Sequence, residues 1–148
     1  MKYFAFGSNM SITRIKKRLE YRPPYEVGFV EGYKLVFNKQ AYCKPGVGYA
    51  NIIPSENDRV YGILYDVTNG DLSKLDIKEG VADNHYVRSM IDIHVDDTVI
   101  QAVTYIAHES RIVDNLLPEK EYLAHLLAAR DLLPDEYIQK LENHPTTD

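Results

Sequence analysis

The first ten residues constrain this chain most. Tyr3-Phe4-Ala5-Phe6-Gly7-Ser8-Asn9-Met10 opens with four apolar or aromatic residues, the composition of a short buried strand. Gly7 then frees the backbone, and Ser11 or Thr13 stands where a cap is needed for a helix over Ile12 to Leu19. A strand that breaks through a Gly-Ser-Asn turn into a helix aims consecutive N–H groups at one point. Such groups carry partial positive charge and favour a carboxylate or a developing oxyanion. Donors fixed in advance where charge will appear are a recurrent catalytic device. The plainer reading is a connector and nothing more. No phosphate-loop lysine follows Gly7 and there is no G-x-G-x-x-G, so nucleotide binding is not indicated.

Strand signals dominate the first half. Tyr3 to Phe6, Tyr33 to Phe37, Tyr49 to Ile53 (stopped by Pro54) and Val60 to Val67 read as four strands. Turn-rich pieces separate them at Arg22-Pro23-Pro24, Lys44 to Gly48 and Pro54 to Asp58. A short helix follows, with Leu72 and Leu75 on one face and a stop near Gly80. Tyr86 to Val95 and Thr98 to Ala107 then read as a hairpin turning at Asp96-Asp97. The last third is helical. One helix begins at Pro118-Glu119-Lys120-Glu121, with Leu123, Leu126, Leu127 and Arg130 at helical spacing. Pro134 breaks it, and Asp135 to Glu142 forms the last helix, with Tyr137, Ile138 and Leu141 inward. The expected whole is one α+β domain over residues 1–148, six or so strands able to curl into a small barrel, with a tail fraying from about residue 143.

Composition narrows the partners. The chain has 148 residues, 45% apolar, enough for a proper core. A net charge of −5 argues against nucleic acid or an anionic membrane as the main partner. A lone cysteine, Cys43, excludes an internal disulfide framework and fits a reducing cytosol. With no long apolar run and no signal-like N-terminus, a cytoplasmic protein is expected. Twelve tyrosines and no tryptophan imply many half-buried rings with hydroxyls near water or a ligand.

Glu79 is the titratable residue of greatest interest. It stands where a short helix gives way to loop, an end at which the helix dipole opposes a carboxylate. Burial there raises its pKa from about 4.3 towards neutrality, as a general acid or base requires. The alternative is a solvated glutamate paired with Lys78 or Arg88. Tyr86 and Tyr122 can offer hydroxyls to a polar ligand or serve as ordinary packing residues. The five histidines show no zinc-helix spacing, and one cysteine cannot make a thiolate site, so no metal is expected. Ser8 lacks a G-x-S-x-G context, and Cys43 has no activating partner. The basic run from Arg14 to Arg18 reads as a solvated helix face.

These segments together resemble the γ-glutamylcyclotransferases. Tyr3 to Met10 is similar to the family's Y-F-A-Y-G-S-N-L opening. Asp76-x-x-Glu79-Gly80-Val81 followed by Tyr86 is similar to its D-x-x-E-G-V…Y segment. Pro118-x-x-x-Tyr122 and Leu133-Pro134-x-Glu136-Tyr137-x-x-Lys140-Leu141 resemble its later elements, in the same order. Phe6 departs from the usual tyrosine and loses any hydroxyl contact there. Asn9 departs from the G-S-L loop of the glutathione-specific branch. The resemblance implies a small mixed-topology β-barrel with flanking helices, and a cofactor-independent lyase that forms 5-oxoproline. It assigns Glu79 as catalytic acid/base, and Tyr3, Phe4, Ala5, Phe6, Gly7, Ser8, Asn9, Tyr86 and Tyr122 to substrate binding. The turn would hold substrate carboxylate or oxyanion. The expected partners are a small γ-glutamyl substrate and, at most, a second copy of the chain in a homodimer. Two other readings are a lyase acting on γ-glutamylamines or γ-glutamyl protecting groups, and a non-catalytic binding module. Loops around Tyr42 to Gly48 and Ala82 to His85 would decide the leaving group.

Overall fold

Long runs of β-branched and aromatic residues with polar residues between them can pair over many turns of a twisted sheet, and here they close it. A computed structural model describes residues 1–148. Its elements are β1 (Lys2–Ala5), α1 (Ile12–Leu19), β2 (Tyr25–Gln40), β3 (Gly48–Asp66), α2 (Asn69–Lys78), β4 (Tyr86–Val95), β5 (Thr98–Ala107), α3 (Lys120–Leu127) and α4 (Asp135–Glu142). The strands form a closed barrel in the order β1-β3-β2-β4-β5. Four of the pairings are antiparallel, and β1 closes on β5 in parallel, with Tyr3 opposite Val103. Closure leaves no sheet edge to recruit another chain. The expected α+β barrel with flanking helices is the fold observed.

The strand count differs from expectation: five rather than six. Tyr49 to Ile53 and Val60 to Val67 belong to one strand, β3. The turn signal at Pro54 to Asp58 is real but local. Tyr33 pairs with Pro54 and Glu31 with Arg59, so residues 55–58 loop out of a ladder that resumes beyond them. Asn57 adopts a left-handed conformation in this bulge, and the Ser55 hydroxyl donates to the Asp58 carboxylate. Proline is tolerated at such an irregularity. Likewise β2 starts at Tyr25, eight residues before the expected strand. Its first half carries Glu26, Gly28, Glu31 and Gly32, which obscure the strand pattern.

β1 is buried on both faces. Tyr3, Phe4 and Ala5 contact the core continuously with Met10, Ile15 and Leu19 of the α1 region and Leu72 and Leu75 of α2. The helix ends are set by local chemistry. Of the two candidate caps for α1, Ser11 is the one used: its hydroxyl accepts from Arg14 N–H at 3.2 Å. Thr68 and Asp71 cap α2 reciprocally. The residues after α4, expected to fray, are tied back to the body: Thr147 N–H donates to Pro118 O at 3.0 Å, Lys120 N–H donates to Asp148 Oδ1 at 2.9 Å, and the His144 ring meets Phe37 edge-on at 4.7 Å. No helix is long and apolar enough to cross a membrane.

Candidate active site

β1 ends at Ala5, and Phe6 and Gly7 lead into a single 3₁₀ turn, Ser8–Met10. That turn spends only two donors: Met10 N–H to Gly7 O (3.0 Å) and Ser11 N–H to Ser8 O (3.2 Å). No acceptor in the chain meets the N–H groups of Gly7 and Ser8. Gly7 is needed for close approach. A Cβ there would stand 3.1 Å from the Ala50 Cβ and 3.3 Å from the Tyr122 hydroxyl.

Glu79 arrives from the other side of the site. It follows the last turn of α2, its N–H still bonded to Leu75 O at 2.8 Å, and the left-handed Gly80 (φ +65°) then turns the chain away. The carboxylate points inward, with the side chain 18% exposed. Asn9 Nδ2 donates to its Oε1 at 3.2 Å, and Arg18 Nη1 stands 3.8 Å away. The alternative pairing with Lys78 or Arg88 is overturned: Arg88 clasps Asp76 through two bonds of 2.7 and 2.6 Å, and Lys78 forms no ion pair. Burial pushes the Glu79 carboxyl above its ordinary value, against the opposing pull of Arg18, Arg14 and Lys39.

The Asn9 side chain is fully committed. Besides Glu79, its Nδ2 donates to the Tyr3 hydroxyl (2.9 Å), its Oδ1 accepts from Arg18 (2.8 Å), and its carbonyl accepts from the Tyr65 hydroxyl (2.7 Å). It acts as a bracket joining β1, α1, β3 and Glu79. Tyr86 and Tyr122 converge on Ala50 of β3. The Tyr86 hydroxyl donates to Ala50 O at 2.8 Å, and Ala50 N–H donates to the Tyr122 oxygen at 3.0 Å. The proton of Tyr122 therefore stays free to donate, whereas Tyr86 has spent its own. Burial raises both phenols above their ordinary pKa, so both stay neutral.

These groups meet at two connected spaces. An inner hollow of about 40 Å³ is lined by Tyr3, Phe4, Phe6, Gly7, Ser8, Asn9, Glu79, Tyr86 and Tyr122 among others. A wider cavity of about 1180 Å³ shares Ser8, Glu79, Tyr86 and Tyr122 with it. Of the residues expected to bind substrate, Ala5 alone lines neither. Both loops expected to shape the leaving-group side contribute, through Tyr42 and Lys44 and through Ala82 to His85. No group of three or more His, Cys, Asp or Glu side chains comes together to hold a metal. Cys43 is exposed in the first of those loops.

Basic residues that the sequence does not assign to the site line the cavity, Arg14, Arg18, Lys39 and Arg111 among them. Arg14 and Arg18 were read as a solvated face, but both turn inward. Arg14 Nη1 donates to His125 Nε2 at 3.1 Å, and burial with the two nearby arginines holds His125 below its ordinary pKa, as an acceptor requires. Their i, i+4 spacing marks a shared face of α1 and was the available signal. Lys39, on β2, is 3% exposed. Its Nζ donates to His85 Nδ1 at 2.7 Å and lies 5.5 Å from the centre of the Tyr86 ring. Nothing near Lys39 in sequence marks it.

The AIG2-like family matches residues 59–141. The γ-glutamylcyclotransferase of Bos taurus is 30% identical over 147 residues, spanning 95% of this chain and 77% of its own length. The Homo sapiens enzyme of that name is 29% identical over 146 residues, 95% of this chain and 76% of that one. A solved γ-glutamyl cyclotransferase superposes with a TM-score of 0.86 at 26% identity, covering 100% of this chain and 89% of the other. A yeast γ-glutamyl cyclotransferase specific to glutathione shares the fold alone, at 13% identity and a TM-score of 0.65 over 95% of this chain and 93% of that one. Barrel, turn and sequence similarity agree, and the chain belongs to the AIG2-like, γ-glutamylcyclotransferase-like family.

Proposed function

We propose that this protein cyclises the γ-glutamyl part of its substrate to 5-oxoproline and releases the amine. One observation carries the reading: Glu79 lines the same small hollow as Gly7 and Ser8, whose N–H groups have no acceptor in the chain. In the reaction, ionised Glu79 takes a proton from the substrate's α-ammonium group. The freed amine attacks the γ-carbonyl carbon and closes a five-membered ring. The oxygen that gathers negative charge accepts hydrogen bonds from Gly7 and Ser8 N–H, and the Tyr122 hydroxyl is a further donor. Protonated Glu79 gives its proton to the departing nitrogen and that C–N bond breaks; Glu79, ionised again, takes the second proton from the ring nitrogen and passes it to the released amine, leaving a neutral lactam, an ammonium product and an ionised Glu79.

Nucleophile and electrophile belong to one molecule, so the site has mainly to fold the substrate into its reactive shape. Such orientation contributes on the order of 7–11 kcal/mol, and proton transfer roughly 100- to 10,000-fold more in rate. No cofactor enters these steps. A cytoplasmic setting and a small-molecule substrate belong to the same reading. The test is release of 5-oxoproline and amine in equal amounts from a panel of γ-glutamyl amino acids, peptides and amines. Binding of these compounds without product would instead mark a binding module on the same fold.

A further inference from the structure

The wide cavity holds two cations, Lys39 and Arg111, that form no ion pair within the chain. The Lys39 ammonium is buried, yet no carboxylate lies within ion-pair distance. Its one hydrogen-bond partner is His85 Nδ1, a nitrogen that must be unprotonated to accept. Arg111 lines the same cavity. Its Nε and Nη2 donate to the main-chain carbonyls of Asn84 (3.3 Å) and Asp83 (2.8 Å), which fix the guanidinium without cancelling its charge. The Asp83 carboxylate also borders the cavity but pairs with neither base. Lys44, by contrast, is paired with Glu119 at 3.0 Å. Burying an ammonium without a counter-ion is costly. Burial and the nearby Arg111 lower Lys39 to about 8, against a weaker opposing pull from Glu79 that falls short of an ion pair.

Arg18, 3.8 Å from Glu79, and Arg14 act on that carboxylate more strongly than Lys39 does, so the glutamyl half of a substrate has cations of its own. Lys39 and Arg111 are additional to these. We propose that Lys39 and Arg111 form a leaving-group subsite for an amine carrying two carboxylates, such as an acidic amino acid. The proposal rests on the cyclotransferase reading and adds a specificity to it. A neutral amino acid supplies one anion to two cations, and a simple amine supplies none.

The test is calorimetric titration of the Glu79→Gln protein with γ-glutamyl-glutamate, γ-glutamyl-alanine and γ-glutamyl-ethylamide. Affinity is expected to fall in that order, with roughly ten- to a hundredfold between first and last. Adding Lys39→Gln should compress the spread to about threefold. Arg111→Gln, at a more open position, should narrow it in the same direction and serves should the Lys39 variant fail to fold. Equal affinities for the acidic and the neutral compound, or a spread that neither variant changes, overturn the subsite. Wild-type protein is assayed in parallel for 5-oxoproline. If no compound is turned over while the order of affinities holds, the cyclotransferase reading falls and the subsite stands.

Discussion

Glu79 makes opposite demands on folding and on chemistry, and both can be measured. As the proposed base it must be ionised, so turnover should fall as pH drops through a pKa above the ordinary carboxylate value of about 4.3. Arg18 pulls that pKa down; Arg18→Met should therefore move the acid limb of the pH–rate profile to higher pH. Glu79→Gln keeps the shape and removes the proton acceptor. Turnover should drop roughly 100- to 10,000-fold with KM little changed. Stability runs the other way. The folded pKa lies above the unfolded one, so the group's stabilising contribution is fully present below about pH 4.3 and is lost as pH rises through the folded value. Glu79→Gln should melt higher than wild type near pH 7 and lose the advantage towards pH 4. Glu79 was legible because an acid at a helix C-terminus is anomalous on its own. Lys39 was not, because its burial comes from β3, β4 and the Ala82–His85 loop rather than from its neighbours in sequence.

The elements around the site are held by local devices whose loss has separable effects. At Gly80 an alanine would have to adopt φ near +65°, with its Cβ 2.7 Å from His85 Cδ2. Gly80→Ala should cost about 1–3 kcal/mol and also lower turnover, because Glu79 is the preceding residue. Thr68→Ala removes the cap at the opposite end of α2 and should cost about 1 kcal/mol while leaving the pH–rate profile where it was. Thermal melts paired with rate profiles distinguish the two. The same contrast explains what could be foreseen. α1, β4, β5 and α4 fall where they were expected, since caps, Pro134 and the Asp96-Asp97 turn are signals read within a few residues. β3 did not, because whether Pro54 to Asp58 ends a strand or loops out of it is decided by the partner strand, and β2 did not, because its Glu- and Gly-bearing first half becomes a strand only by pairing with β3.

The molecule as a whole depends on a short strand at its start. Phe4 is fully buried, and its carbonyl accepts from the Thr104 hydroxyl at 2.8 Å beside the parallel seam of β1 and β5. Phe4→Ala should cost about 3–5 kcal/mol, a fall of roughly 6–20 °C in Tm for a chain of this size. A melt within two or three degrees of wild type (about 1 kcal/mol) would contradict that account. The seam also sets an order of events. Tyr3 finds its neighbour Val103 about a hundred residues later, and the turn that offers Gly7 and Ser8 N–H hangs from that strand. At ribosomal speeds of about 5–20 residues per second, the beginning of the chain waits roughly 5–20 s for its partner to be made. Until then the parts of the proposed site exist but have no fixed positions, so enzymatic competence should emerge in one late step and report completed closure rather than partial structure.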